Sequence, residues 1–165
     1  MIKFTFLIWL IIFLGFAPVA EGRVTPEDIV VAQKESYQKS TESYTDASKM
    51  KLDNLQKDIL NLNRKLTAEL DYAMVVQALI LDEFEVRAEG KYKSQIEDAR
   101  YWITFAHEAV AYQAAKTYIP RVTGEQNFKS DASSTIGLFK SEIFSARLKV
   151  FKAEGIVKGL LKNEF

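Results

Sequence analysis

The sequence predicts an all-α fold, an elongated antiparallel helical bundle of three long amphipathic helices plus a weaker N-terminal one, and three observations carry that expectation. Three separate segments repeat apolar residues on alternating three- and four-residue steps. Turn-forming residues, Gly90 and then Pro120 with Gly124, fall between those segments. No alternating run rich in Val, Ile and Thr competes for a strand. At 165 residues the chain is long enough to bury one core without disulfides or a structural metal.

The first segment is an address rather than part of the fold. Lys3 precedes an uncharged apolar run, Phe4–Phe16, and Pro18 breaks it before the small residues of Ala20-Glu21-Gly22. Such a run is a signal-peptide core, shorter than the ~20 residues that span a bilayer as a stable helix. Residues 1–22 therefore read as a signal peptide, with cleavage expected after Gly22 and Ala20 as second choice. The alternative is an uncleaved N-terminal anchor. Residues 23–165 then form a single helical-bundle domain, exported to a periplasm or secreted into an extracellular fluid.

Thr25-Pro26-Glu27-Asp28 is a helix start: a capping hydroxyl, a proline at the first position, then acids at the positive end of the dipole. Glu35-Ser36-Tyr37 recurs seven residues later as Glu42-Ser43-Tyr44, which places both tyrosines on one face of a helix running to about Ala47. The second helix carries Leu52, Leu55, Ile59, Leu62, Leu66, Ala73, Val76, Ile80 and Glu83 along one seam, with Glu69 as a polar interruption. This is the spacing of a left-handed, coiled-coil-like helix pair. Between Tyr72 and Phe84 that helix is apolar almost all round, which implies enclosure on several sides. Glu89 and Gly90 end it.

The third helix repeats the seam through Tyr92, Ile96, Ala99, Ile103, Ala106, Val110, Gln113 and Thr117. Beside it runs a second stripe, Tyr101, Trp102, Phe105, Ala109 and Tyr112, so this helix is expected at the centre of the bundle. After a loop over residues 121–131, the last helix starts near Ser133 and carries Ile136, Phe139, Ile143, Ala146, Val150, Ala153, Val157 and Leu160.

Composition removes several function classes. Lys plus Arg and Asp plus Glu are 22 each, a balance that argues against a nucleic-acid partner. The absence of cysteine excludes disulfides, a thiol nucleophile and thiolate zinc sites. The single histidine, His107, has no marked nucleophile or orienting partner, and its position at the rim of the seam suits a half-buried structural residue. A carboxylate-bridged metal pair would need Glu-x-x-His on each of two helices, and Thr104 stands where the carboxylate before His107 would be. Asp82, Glu83 and Glu85 read as surface acids with Arg87 and Lys91 as partners. No phosphate-cradling glycine loop and no Gly-x-Ser-x-Gly elbow occurs. No cofactor, metal or catalytic residue is expected.

The last helix carries a second stripe away from its seam: Gly137, Phe144, Leu148, Phe151, Gly155 and Gly159. Two stripes on one helix are two surfaces to bury, and Gly155 with Gly159 would permit close backbone approach. Within one chain only the N-terminal helix could cover it, through the thin face of Ile29, Ala32, Ser36, Ser40 and Tyr44. Phe144, Leu148, Phe151, Gly155 and Gly159 are thus the candidate partner surface. The expectation is a non-enzymatic exported protein acting by binding, through self-association or docking into a secreted or envelope assembly. An apolipoprotein-like lipid-binding bundle is the alternative.

Overall fold

A computed structural model describes residues 26–162, so the expected signal segment, residues 1–22, lies outside the described residues. Four α-helices follow one another: α1 (Pro26–Thr41), α2 (Asp46–Arg87), α3 (Lys93–Ala114) and α4 (Phe128–Lys162), with a 3-10 turn over Glu125–Asn127. No strand occurs among the described residues. At 1.5 Å per residue, the 42 residues of α2 run for about 63 Å.

The first break comes earlier than the sequence spacing predicts. α1 stops at Thr41, not near Ala47, because Thr45 caps a new helix: its side chain accepts from the Ser48 amide. Tyr44 falls in the intervening turn and is buried there, so it does not share a helical face with Tyr37. The α2–α3 connection falls where Gly90 predicts it. Ala88 closes α2, and Glu89, Gly90 and Tyr92 all take positive φ, a conformation that costs little only at glycine. The Tyr92 ring packs on Phe84 at 5.9 Å and helps hold this turn. α4 begins at Phe128, five residues before the expected Ser133. The cause lies in the preceding loop, where Asp131 accepts from the Thr123 amide at 2.7 Å and from its hydroxyl.

Helices α2, α3 and α4 pack around one core. Phe84, Leu81 and Met74 of α2 meet Ala99, Ala106 and Val110 of α3 and Val150 and Ala153 of α4, all of them at most 1–2% exposed. Cross-helix pairs give the directions. Glu85 meets Arg100, Asp71 meets His107 and Asn63 meets Gln113, so α2 and α3 run antiparallel. Lys152 lies over Trp102 and Glu142 meets Lys116, so α3 and α4 are antiparallel too. Hence α2 and α4 run parallel.

On α3 and α4 the buried residues are those the spacing predicts, from Ile96 to Gln113 and from Phe139 to Leu160; Ile136 is only partly buried, and Thr117 lies beyond the end of α3. On α2 the seam is displaced. From Leu62 onward the expected Leu62, Leu66, Ala73, Val76, Ile80 and Glu83 give way to Asn63, Thr67, Met74, Gln77, Leu81 and Phe84, each one residue later. One residue turns a helix by about 100°. The cause is a polar pair in the core. Asn63 Nδ2 donates to the Gln113 carbonyl at 2.9 Å, and Gln113 Nε2 donates back to Asn63 Oδ1 at 2.9 Å. Gln113 also donates to the Tyr118 hydroxyl at 2.6 Å, which donates to Glu142 at 2.7 Å, and Lys116 pairs with Glu142 at 2.8 Å. Burial and then the Glu142 bond push the Tyr118 phenol above its ordinary range.

The rotation also corrects two expectations of enclosure. Tyr72, Val75, Leu79 and Val86 on α2 face solvent, and so do Tyr101 and Tyr112 on α3. Each of the three helices is buried along one seam and open along another. A separate polar cluster joins the ends of the chain's first and last turns. The Glu125 carboxylate accepts from the Thr45 hydroxyl at 2.7 Å and the Ser48 hydroxyl at 2.6 Å, and the Gly124 amide donates to the Tyr44 hydroxyl at 3.1 Å.

Two outcomes follow from these bonds. Gln113→Leu leaves buried Asn63 without its amide partner and should cost about 1–3 kcal/mol in urea unfolding; a loss under about 0.5 kcal/mol would show that the pair does not set the packing. The hydrogen bonds from Ser48 and then Thr45 hold the Glu125 carboxyl below its ordinary 4.5. Its stabilisation is therefore present above that pH and is lost as acid titrates the folded carboxylate. Glu125→Gln should lower Tm at pH 7, with the gap to the parent closing as the pH falls below the carboxyl's ordinary value; a gap independent of pH would contradict the assignment.

Candidate functional site

The α4 stripe is held outward by the same periodicity that buries its seam. Phe139, Ile143, Ala146, Val150, Ala153 and Val157 point to the core, which leaves Phe144 (58% exposed), Leu148 (50%) and Phe151 (55%) on the open side. α1 does not cover them. Its residues Ile29, Ala32, Ser36 and Ser40 instead line a cleft of about 660 Å³ against Ile119–Val122, and nearly all of α1 is exposed. Tyr37 ties it to α2, donating to Asp53 at 2.9 Å.

Gly155 and Gly159 do not play the part the spacing suggests. A Cβ at either would meet nothing within 4 Å, and the same holds at Gly137. No backbone among the described residues approaches α4 at these positions. They are flat, open ground at the end of the stripe.

The rotation of α2 adds a second set of apolar residues. Tyr72, Ala73, Val76 and Ile80 line a groove of about 390 Å³ whose other wall is Glu154, Val157, Lys158 and Leu161 of α4. The groove sets residues 72–80 of α2 beside residues 154–161 of the parallel α4, so about two heptads earlier the Leu62–Leu66 turn of α2 runs beside the turn of α4 that holds Phe144. Leu62 is 45% exposed. The α2 groove residues and the α4 stripe thus form one broad face, partly apolar along its whole length. At its floor, the Gln77 side-chain oxygen is buried with no hydrogen-bond partner. Contiguous apolar area of this kind, rather than scattered residues, distinguishes a binding surface.

Charge on this face is mixed. Lys158 is engaged by Glu154 and Arg87 by Glu83, within their own helices. Glu69 on α2, and Lys140 and Arg147 on α4, are exposed and make no ion pair. The α2 edge therefore carries both an unpaired acid, Glu69, and one turn earlier an unpaired base, Lys65, while the α4 edge carries unpaired bases.

The opposite α3–α4 face is built from aromatic rings and lysines. Tyr101 stacks on Phe105 at 6.2 Å, and Trp102 meets both rings edge-on. Lys152 Nζ sits 3.4 Å from the Trp102 ring centre and Lys149 Nζ 5.0 Å from that of Phe105. These lysines cover Trp102 and Phe105 in part, while Tyr101 stays exposed.

His107 is exposed rather than half-buried. Its Nε2 lies 2.6 Å from Asp71 Oδ1 across the α2–α3 flank, and both side chains are about half exposed. Thr104, the nearest hydroxyl by spacing, makes no bond to it. Asp82 and Glu85 take Arg100 as their partner, not Lys91, while Glu83 takes Arg87. These are ion pairs of a solvated flank. No group of three metal-ligating side chains converges among the described residues, and no described helix is long and apolar enough to cross a membrane.

The groove residues of α2 escape a reading that assigns every leucine to the core. The signal for them is the seven-residue spacing of Tyr72, Leu79 and Val86, which runs beside the polar Asn63, Gln77 and Thr67. Replacing Phe144 and Phe151 together by Ser should leave the fold nearly intact, with Tm lowered by a few degrees, since both rings are already more than half exposed. A loss of tens of degrees would place them in the core instead. Compared with protein-family models, curated proteins and solved structures, the chain matches none.

Proposed function

We propose that this chain is an exported, non-enzymatic helical-bundle protein that acts by binding other protein surfaces through the α2–α4 face. The observation that supports it most directly is the alignment of Phe144, Leu148 and Phe151 beside the α2 groove, exposed on one side of the molecule. Burying a phenylalanine or leucine fully is worth about 1.5–3 kcal/mol. A face holding several such residues at half exposure retains much of that energy for a partner. Export rests on the Lys3, Phe4–Phe16 and Ala20–Gly22 pattern at the N-terminus.

The lipid-carrier alternative requires the helices to separate and spread on an apolar surface. The Asn63–Gln113–Tyr118–Glu142 chain weighs against it, because opening would break hydrogen bonds that are buried between α2 and α3 and half-buried where they reach α4.

Photo-crosslinking in the exporting cells tests the proposal. Leu148 replaced by benzoylphenylalanine should give a protein adduct on irradiation, while the same probe at Glu108, exposed on the outward face of α3, should not. Absence of any protein adduct at Leu148 overturns the reading. Flotation of the unmodified protein with anionic phospholipid vesicles should leave it unbound; co-flotation abolished by Phe144→Ser with Phe151→Ser would favour the lipid carrier.

A further inference from the structure

We infer that the groove between Tyr72–Ile80 and Glu154–Leu161 is a site for a small neutral amphiphile: a medium-length apolar chain whose head group both donates and accepts a hydrogen bond, as a hydroxyl does. The inference goes beyond the protein-binding role proposed above and does not depend on it. Gln77 carries it. This side chain is 6% exposed and lines the groove. Its oxygen is buried and accepts no hydrogen bond, and its nitrogen donates none among the described residues. The other buried polar side chains, Thr41, Asn63, Thr67, Gln113, Asp131 and Thr135, are all bonded. A buried amide without partners costs stability, and native interiors rarely keep one. Gln77 is the exception here, and it is the one of these residues that sits at the floor of an apolar groove.

The surroundings define the rest of the occupant. Ala73, Val76 and Ile80 of α2 and Val157 and Leu161 of α4 make walls that suit an alkyl chain, and about 390 Å³ is the size of a small-molecule site. The last torsion of a glutamine is broad, so rotation of the amide presents either its oxygen or its nitrogen to the groove. A hydroxyl serves both, donating to the oxygen or accepting from the nitrogen. The charged side chains of the lining, Glu154 and Lys158, engage each other. Exposed Lys65, Glu69, Arg147 and Lys162 stand outside the lining. An ionised head group at the floor would give up its hydration to a neutral amide, whereas a hydroxyl exchanges one hydrogen bond for another. The site therefore selects a neutral head over a carboxylate on the same chain.

Calorimetric titration of the purified protein with 1-hexanol, 1-octanol and octanoate tests the assignment. 1-Octanol should bind once per chain and more tightly than 1-hexanol, by up to about fourfold for each methylene buried. Octanoate should bind at least about tenfold more weakly than 1-octanol. Gln77→Leu should weaken 1-octanol about tenfold and at the same time raise Tm by a few degrees, because it removes the unpaired amide. A glutamine kept only for the fold would not move the two in opposite directions. Ala73→Phe, at a partly buried wall position, should fill the groove and abolish binding with circular dichroism unchanged. No binding of 1-octanol at about 1 mM overturns the inference, and so does octanoate binding as tightly as 1-octanol, which would put the head group at the lysines of the rim. Parent-like affinity in Gln77→Leu or in Ala73→Phe overturns it as well. A Leu148 adduct in cells without 1-octanol binding leaves the protein-binding reading standing and removes this site.

Discussion

One buried amide pair governs the rest of this structure. Asn63 and Gln113 exchange two hydrogen bonds between α2 and α3 in a setting where neither side chain reaches water. Leaving either amide unpaired there costs more than a methylene or two of lost burial returns. The pair therefore decides how α2 turns about its axis. Its chain of bonds continues through Tyr118 to Glu142 and Lys116, so the same choice reaches α4. Specificity of register is what one polar pair in an apolar seam provides best.

The cost of that choice appears on the other side of the helix. With Asn63, Thr67 and Gln77 turned inward, Leu62, Val76 and Ile80 turn toward the α2–α4 groove and are covered only in part. The open apolar face is thus a consequence of how the core is specified, and not a defect of packing. A surface created this way is rigid, since the helices that carry it are locked from within. Rigid, preorganised surfaces lose less entropy on association than flexible ones.

Much of this was legible from residue order alone. The helical class, the turn at Gly90 and the seams of α3 and α4 follow from three-and-four spacing, because there apolar residues and core positions coincide. On α2 they do not. Two stripes one residue apart are both tenable there, and hydrophobicity favours Leu62, Leu66 and Ala73 over Asn63, Thr67 and Met74. Only a partner for Asn63 on another helix decides between them, and Gln113 lies 50 residues away. The early end of α1 and the early start of α4 depend likewise on side chains that bond across loops, Thr45 to Glu125 and Asp131 to Thr123. The outward position of Phe144, Leu148 and Phe151 was legible because α4 keeps strict heptads. The residues that join them from α2 were not, since their spacing fits a core seam equally well.

The ladder of pairs between α2 and α3 has a bearing on how the chain finds its fold. From the Ala88–Tyr92 turn outward, the contacts Glu85–Arg100, Asp71–His107 and Asn63–Gln113 close loops of 15, 36 and 50 residues. Each closure shortens the next search, so this hairpin can zip from its turn, with loop entropy met in small steps. The tie between Thr45 and Glu125 spans 80 residues and gains nothing until both helices and α4 are in place. Loop entropy thus favours a route that starts at the Ala88–Tyr92 turn and reaches the polar cluster beside α1 last.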